Sequence, residues 1–234
     1  MSSPLCERCA TTYRPGACGA VSAVTHERRF GGLRARQCAV MLHLSSAVEI
    51  TMPATSAVPT RHTVTVRAPD PPRSGARMKL TSATFQPDGT MPRSTAFDGC
   101  GGENRSPELS WSGFPDETRG FALTLFDPDA PTGSGFWHWV LSGIPANVTK
   151  LAVGEGQSET AGDGTAGFND YGAHGYGGPC PPAGDGPHRY VFTIYALDVP
   201  TLDGAARDTT GAKLNFLMRG HVLATGTLTG RYGR

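Results

Sequence analysis

Phe121-Ala-Leu-Thr-Leu-Phe-Asp127, followed by Pro128-Asp-Ala-Pro131, is the stretch on which the fold turns. Its apolar side chains fill both faces of an extended chain. That pattern marks a central strand covered on each side. Pro128 has no N–H to give a ladder, so pairing ends there and Asp127 stands at the strand's exit. Asp127 and Asp129 straddle the proline, and Pro131 stiffens the following loop. The two carboxylates are therefore held in a rigid bend.

Working outward, residues 80–85, 108–111, 137–144 and 189–197 also read as strands. Pro87-Asp-Gly89, Gly101-Gly102, Gly133-Ser-Gly135 and Gly177-Gly-Pro179 separate them as turns. Helical periodicity appears at residues 210–219, where Leu214, Leu217 and Met218 share a face and Gly220 is a stop. Residues 221–232 read as a closing strand bent at Gly226. The expected fold is mainly β, a sandwich with one or two peripheral helices.

Composition divides the 234 residues at Met78. Residues 1–77 hold ten Arg, no Lys and four acids, a net of +6, whereas residues 78–234 carry a net of −5. Four of the six cysteines (Cys6, Cys9, Cys18, Cys38) precede the division and all three Trp follow it. Sparse apolar side chains before Met78 cannot offset backbone ordering entropy, so residues 1–77 are expected to be a disordered basic extension. Three readings of it compete: a solvated tail, an organelle transit segment, and translation from an upstream start with Met78 as working initiator. The third suits the absence of Lys. Residues 62–67 alternate like a strand without an evident partner. The Cys6-x-x-Cys9 pair has no second Cys/His pair at finger spacing and is read as structural or incidental. No apolar run is long enough for a membrane span, and no secretory signal opens the chain. The near-neutral whole and the acidic second part argue against nucleic-acid binding. A cytoplasmic location is expected, or an organelle if the extension is a transit segment.

Chemistry gathers in residues 78–234. His138 lies between Trp137 and Trp139, and period 2 puts Phe136, His138 and Val140 on one face opposite the two tryptophans. A histidine among so many apolar groups is partly buried and needs a partner, for which a carboxylate is expected. In Pro187-His-Arg-Tyr190, His188 and Tyr190 share a face while Arg189 points away. Upstream, Tyr176-Gly-Gly-Pro-Cys-Pro-Pro182 offers glycines that admit a ligand close to the backbone. A single strand histidine is ordinarily a core residue; three such clusters at strand ends point to a shared site.

Asp127-Pro-Asp-Ala-Pro131, Gly135-Phe-Trp-His-Trp139 and Gly177-Gly-Pro-Cys-Pro-Pro182 with His188-Arg-Tyr190 resemble the phosphatidylethanolamine-binding protein family, in its bacterial and archaeal Raf-kinase-inhibitor-like branch of the YbhB/YbcL type. Cys100-Gly-Gly-Glu-Asn-Arg-Ser-Pro107 and Gly220-His-Val-Leu-Ala224 fit the same pattern, and the resemblance spans residues 78–234. It implies a Greek-key β-sandwich with a small anion site for phosphate, phosphoethanolamine or a phospholipid head group. Carried over by position, Asp127, His138, Pro181, His188 and Tyr190 make the site, with Asp129, Pro131, Tyr176 and Gly178 at its rim. Phe136 replaces a Trp that many relatives of this type carry. Asp127 is expected to orient His138 or to accept from a bound amine, while His188 and Tyr190 donate to phosphate oxygens. Cys100 and Cys180 are expected near one another at the mouth, reduced in a cytoplasm and bridged in an oxidising compartment.

The resemblance implies a non-enzymatic binding protein with no cofactor or metal, and a kinase- or serine-protease-inhibitor-like regulator. It is compatible with a homodimer. The rival reading is a metal-dependent or hydrolytic enzyme using Asp127, His138 and His188. Ser134 in Thr132-Gly-Ser-Gly-Phe136 does not make the Gly-x-Ser-x-Gly elbow that a hydrolase nucleophile would need.

Overall fold

The computed structural model describes residues 76–234. The expectations for residues 1–75 of the basic extension, for Cys6-x-x-Cys9 and for residues 62–67 concern residues outside this range. The strands are β1 (Ala76–Arg77), β2 (Lys79–Thr81), β3 (Leu109–Ser112), β4 (Gly120–Asp127), β5 (Phe136–Pro145), β6 (Lys150–Leu151), β7 (Thr160–Ala161), β8 (Gly164–Ala166), β9 (His188–Leu197) and β10 (Val222–Tyr232). One helix, α1 (Gly211–Leu217), lies between β9 and β10. Seven strands form one sheet in the order β1-β10-β9-β4-β5-β8-β7, and β2-β3-β6 form a second.

The central strand accounts for both layers. β4 pairs with β5 on one edge and with β9 on the other, and all its residues are buried. Phe121, Leu123 and Leu125 join Leu80, Leu109, Trp111 and Leu151 of the small sheet in the main core. Ala122 faces the opposite way, into a second cluster with Val140, Tyr195, Leu214 and Met218. Alternation along one strand thus builds a β-sandwich on one face and a helix-covered layer on the other.

The helix follows its sequence signals. The Thr210 side chain caps it by accepting from the Lys213 N–H, and Gly220 ends the segment at φ +83°. Leu214 and Met218 are buried.

Four local expectations need correction. The strand read at 80–85 stops at Thr81, because side chains take over the backbone's bonds. Ser82 Oγ donates to Glu108 O, Ala83 N donates to the Glu108 carboxylate and Thr84 N donates to Ser82 Oγ. The closing strand is not bent at Gly226, which pairs regularly with Ile194; the register shifts between Val222 and Ala224 instead. Gly226 has another reason to be glycine, since a Cβ there would stand 2.9 Å from Met78 O. Ala76 and Arg77 precede Met78 yet pair in parallel with Ala224 and Thr225, so the large sheet takes in two residues ahead of the compositional division.

The fourth correction lies at the site. Leu125 pairs with Trp139, but the next residue, Phe126, pairs with Trp137. His138 is therefore the extra residue of a β-bulge. The bulge puts Trp139 in the main core and Trp137 against the second cluster, so the two tryptophans do not share a face. Val140 also parts from His138 and enters the second cluster.

Candidate functional site

The bulge aims the His138 ring at aromatic neighbours. Its centroid lies 4.9 Å from Phe136, 5.1 Å from Tyr190 and 5.6 Å from Tyr171. His138 is only 3% exposed. Its Nδ1–H donates to Gly177 O at 2.8 Å, and Gly177 N returns a bond to His138 O at 2.8 Å. The expected carboxylate partner is thus replaced by a backbone carbonyl. Burial holds the imidazole down at about pKa 4, against the pull of the Gly177 and Gly178 carbonyls, so His138 is neutral at physiological pH.

Asp127 serves the other histidine. At the exit of β4 its Oδ2 accepts from His188 Nδ1 at 2.8 Å, and its Oδ1 accepts from the Asp129 N–H at 2.8 Å. This corrects the expectation that Asp127 orients His138. Asp127 and His188 are 2% and 5% exposed, so the pair is desolvated. Burial raises the Asp127 carboxyl above its usual range, and the His188 hydrogen bond opposes that rise. The other ring nitrogen, His188 Nε2, looks towards Asp185 Oδ2 at 3.7 Å. Two residues on, Tyr190 is buried, and burial together with the Asp127 charge pushes its phenol far up.

Asp129 is diverted from the site by Arg189. The guanidinium grips both carboxylate oxygens at 2.8 and 2.9 Å, and the Arg189 N–H adds a third bond at 2.9 Å. The pair holds the Asp129 carboxyl below its ordinary range and pins the loop that begins at Pro128. Pro131 is exposed farther along that loop.

The segment from Tyr176 to Pro182 supplies the remaining wall. Gly178 N donates to Asn104 Oδ1 at 2.7 Å, Tyr176 Oη donates to Thr95 O at 2.9 Å, and Phe97 N donates to Pro179 O at 3.0 Å. Cys180 is joined to Cys100 by a disulfide with Cα atoms 5.7 Å apart, the state expected of an oxidising compartment and not of a cytoplasm. Peptide mapping of alkylated, unreduced protein is expected to recover the Cys100–Cys180 linked peptide; two separately alkylated cysteines would overturn the bridge.

Tyr171, absent from the sequence-based site, belongs to it. Its ring stacks on Phe97 at 4.2 Å and its hydroxyl donates to Gly178 O at 3.0 Å. Burial, aided by the Asp127 charge, pushes the phenol up to about 12. Nothing in Asn169-Asp-Tyr171 marks it as such; only its packing does. Asn104 was visible inside a motif, but its role as the acceptor that fixes Gly178 was not. No group of three His, Cys, Asp or Glu side chains among the described residues is placed to hold a metal ion, so the metal alternative on Asp127, His138 and His188 finds no such arrangement. No helix among the described residues is long and apolar enough to cross a membrane.

A β-sandwich that gathers two buried histidines, a buried aspartate and a glycine-proline segment at one strand end is suited to holding a small ligand. The family model described as phosphatidylethanolamine-binding protein matches residues 81–233, and the chain belongs to that family. It is 40% identical over 166 residues to the UPF0098 protein YbcL of Escherichia coli, covering 67% of this chain and 88% of that one. It is also 40% identical to YbhB of the same organism, covering 66% of this chain and 99% of the relative. The crystal structure of Escherichia coli YbcL, described as a new member of the mammalian PEBP family, superposes with a TM-score of 0.64 at 39% identity and covers 68% of this chain and 99% of that one. A Chlamydia trachomatis homologue of the family superposes at 0.59 with 35% identity, covering 68% and 98%.

Proposed function

We propose that this chain binds a phosphate-bearing small ligand or phospholipid head group without transforming it, through Asp127, His138, His188 and Tyr190. The observation that carries the reading is the buried Asp127–His188 pair, which commits Nδ1 and leaves Nε2 to the ligand. Asp127 fixes the ring by accepting from Nδ1, so that Nε2 is the edge His188 presents to a phosphate oxygen. Neutral His138 and the Tyr190 phenol add polar contacts without adding charge. Among the described residues the His188 ring meets carboxylates rather than a hydroxyl or thiol, an arrangement that supports a binder over a hydrolase.

His188→Ala is expected to weaken phosphate and phosphoethanolamine binding about tenfold or more in calorimetry, the worth of a hydrogen bond to a charged group. Unchanged affinity removes the reading. Soluble phosphoethanolamine and phosphatidylethanolamine-containing vesicles, run as separate arms, distinguish a free phosphorylated compound from a lipid. The regulatory part of the proposal, inhibition of a kinase or serine protease, draws on family membership. It predicts partner capture that changes with saturating phosphoethanolamine. The Cys100–Cys180 bridge favours an oxidising compartment over the cytoplasmic location expected from sequence, and the peptide mapping, run on protein alkylated in the cell, decides between them.

A further inference from the structure

Beyond β10 the chain folds back onto the loop that leads into His188. A Cβ on Gly233 would stand 3.3 Å from two Pro187 atoms. Gly184 N donates to Arg234 O at 3.3 Å, and Arg234 Nε donates to Pro181 O at 2.7 Å. These three contacts fix the Arg234 guanidinium at Pro181, on the wall that also carries Gly178 and the Tyr171 hydroxyl. The Arg234 charge is felt by the Tyr171 phenol, where it counters the effect of Asp127.

Among the described residues the Arg234 guanidinium donates only through Nε. Among the described residues its two terminal nitrogens hydrogen-bond to nothing, which leaves a planar fork suited to phosphate oxygens. The charge inventory around the site shows what that fork is for. Asp127 and Asp185 are acids facing His188, and His138 is neutral. Arg189 is consumed by Asp129. A phosphate entering here meets carboxylates and needs a cation that no internal pair has already taken.

We propose that Arg234 is a ligand-binding residue whose terminal N–H groups grip the phosphate bound at His138, His188 and Tyr190. The inference rests on the binding role proposed above and adds the residue that makes an acidic site accept an anion. The alternative is a structural staple, in which Arg234 merely ties the tail to Pro181.

Calorimetry with inorganic phosphate on the full chain, at several salt concentrations, separates the two. Arg234→Ala is expected to lose about tenfold in affinity, and its affinity should fall less steeply with salt than that of the wild type, because one screened charge pair is gone. The thermal midpoint should stay close to wild type. Wild-type affinity in Arg234→Ala, or a loss with an unchanged salt slope, overturns the proposal and leaves the staple. His188→Ala in parallel reports on the site itself. If the wild type binds no phosphate, the site reading falls, and the role of Arg234 falls with it.

Discussion

Gly178→Ala is expected to abolish measurable phosphate binding and to cost about 3 kcal/mol of stability, at the upper end for an overpacked interior. The added Cβ would stand 2.1 Å from Thr95 O and 2.6 Å from both Ala96 C and Phe97 N. All three are backbone atoms, so no rotamer change relieves the clash. The backbone is also anchored, through Thr95 N to Pro92 O, Ala96 N to Arg93 O and Phe97 N to Pro179 O. Separating the two segments breaks the Phe97–Pro179 bond and strains the bonds that Gly178 makes with Asn104 and Tyr171. Gly133→Ala is the control. Gly133 has φ +75° but open space around it, so its cost is confined to backbone strain of about 1 kcal/mol. Denaturant unfolding and phosphate calorimetry read both variants. A wild-type midpoint and wild-type affinity in Gly178→Ala would show that the wall does not pack this closely.

The second large effect is a pH dependence. Between pH 7 and pH 4 the wild type is expected to lose about 3 kcal/mol more stability than His138→Asn. Burial lowers the folded-state pKa of His138 from 6.5 to about 4. The unfolded chain therefore takes up a proton in that window while the native state does not. Stability from the neutral ring is complete above pH 6.5, drains away as pH falls, and is exhausted near pH 4. A shift of this size corresponds to about 3 kcal/mol. Asp127 acts in the opposite sense, since its raised pKa favours proton uptake by the native state, but it does so in both proteins. Asn keeps a donor near Nδ1 for Gly177 O and has no proton to gain. Parallel pH profiles for the two would mean that His138 is not held neutral by burial.

Much of the site was legible because strands announce themselves locally. Seven residues with apolar groups on both faces identified β4, and Pro128 marked its end. Period 2 placed His188 with Tyr190 and sent Arg189 the other way, as its grip on Asp129 bears out. The short strands β6, β7 and β8 were not legible. Two or three residues carry no period, and their pairing is imposed by neighbours already in place.

The sequence by itself determined which segments extend, where prolines stop them and which side chains leave each strand together, because those properties follow from backbone geometry one residue at a time. Only the tertiary structure decided that Asp127 holds His188 rather than His138, that a bulge re-aims His138, and that Tyr171 and Arg234 join the same wall. Each of these depends on register between distant strands and on which polar group is left without water once they pack. Asp127 and His188 lie 61 residues apart and Arg234 and Pro181 lie 53 apart, and local periodicity carries no information across such separations.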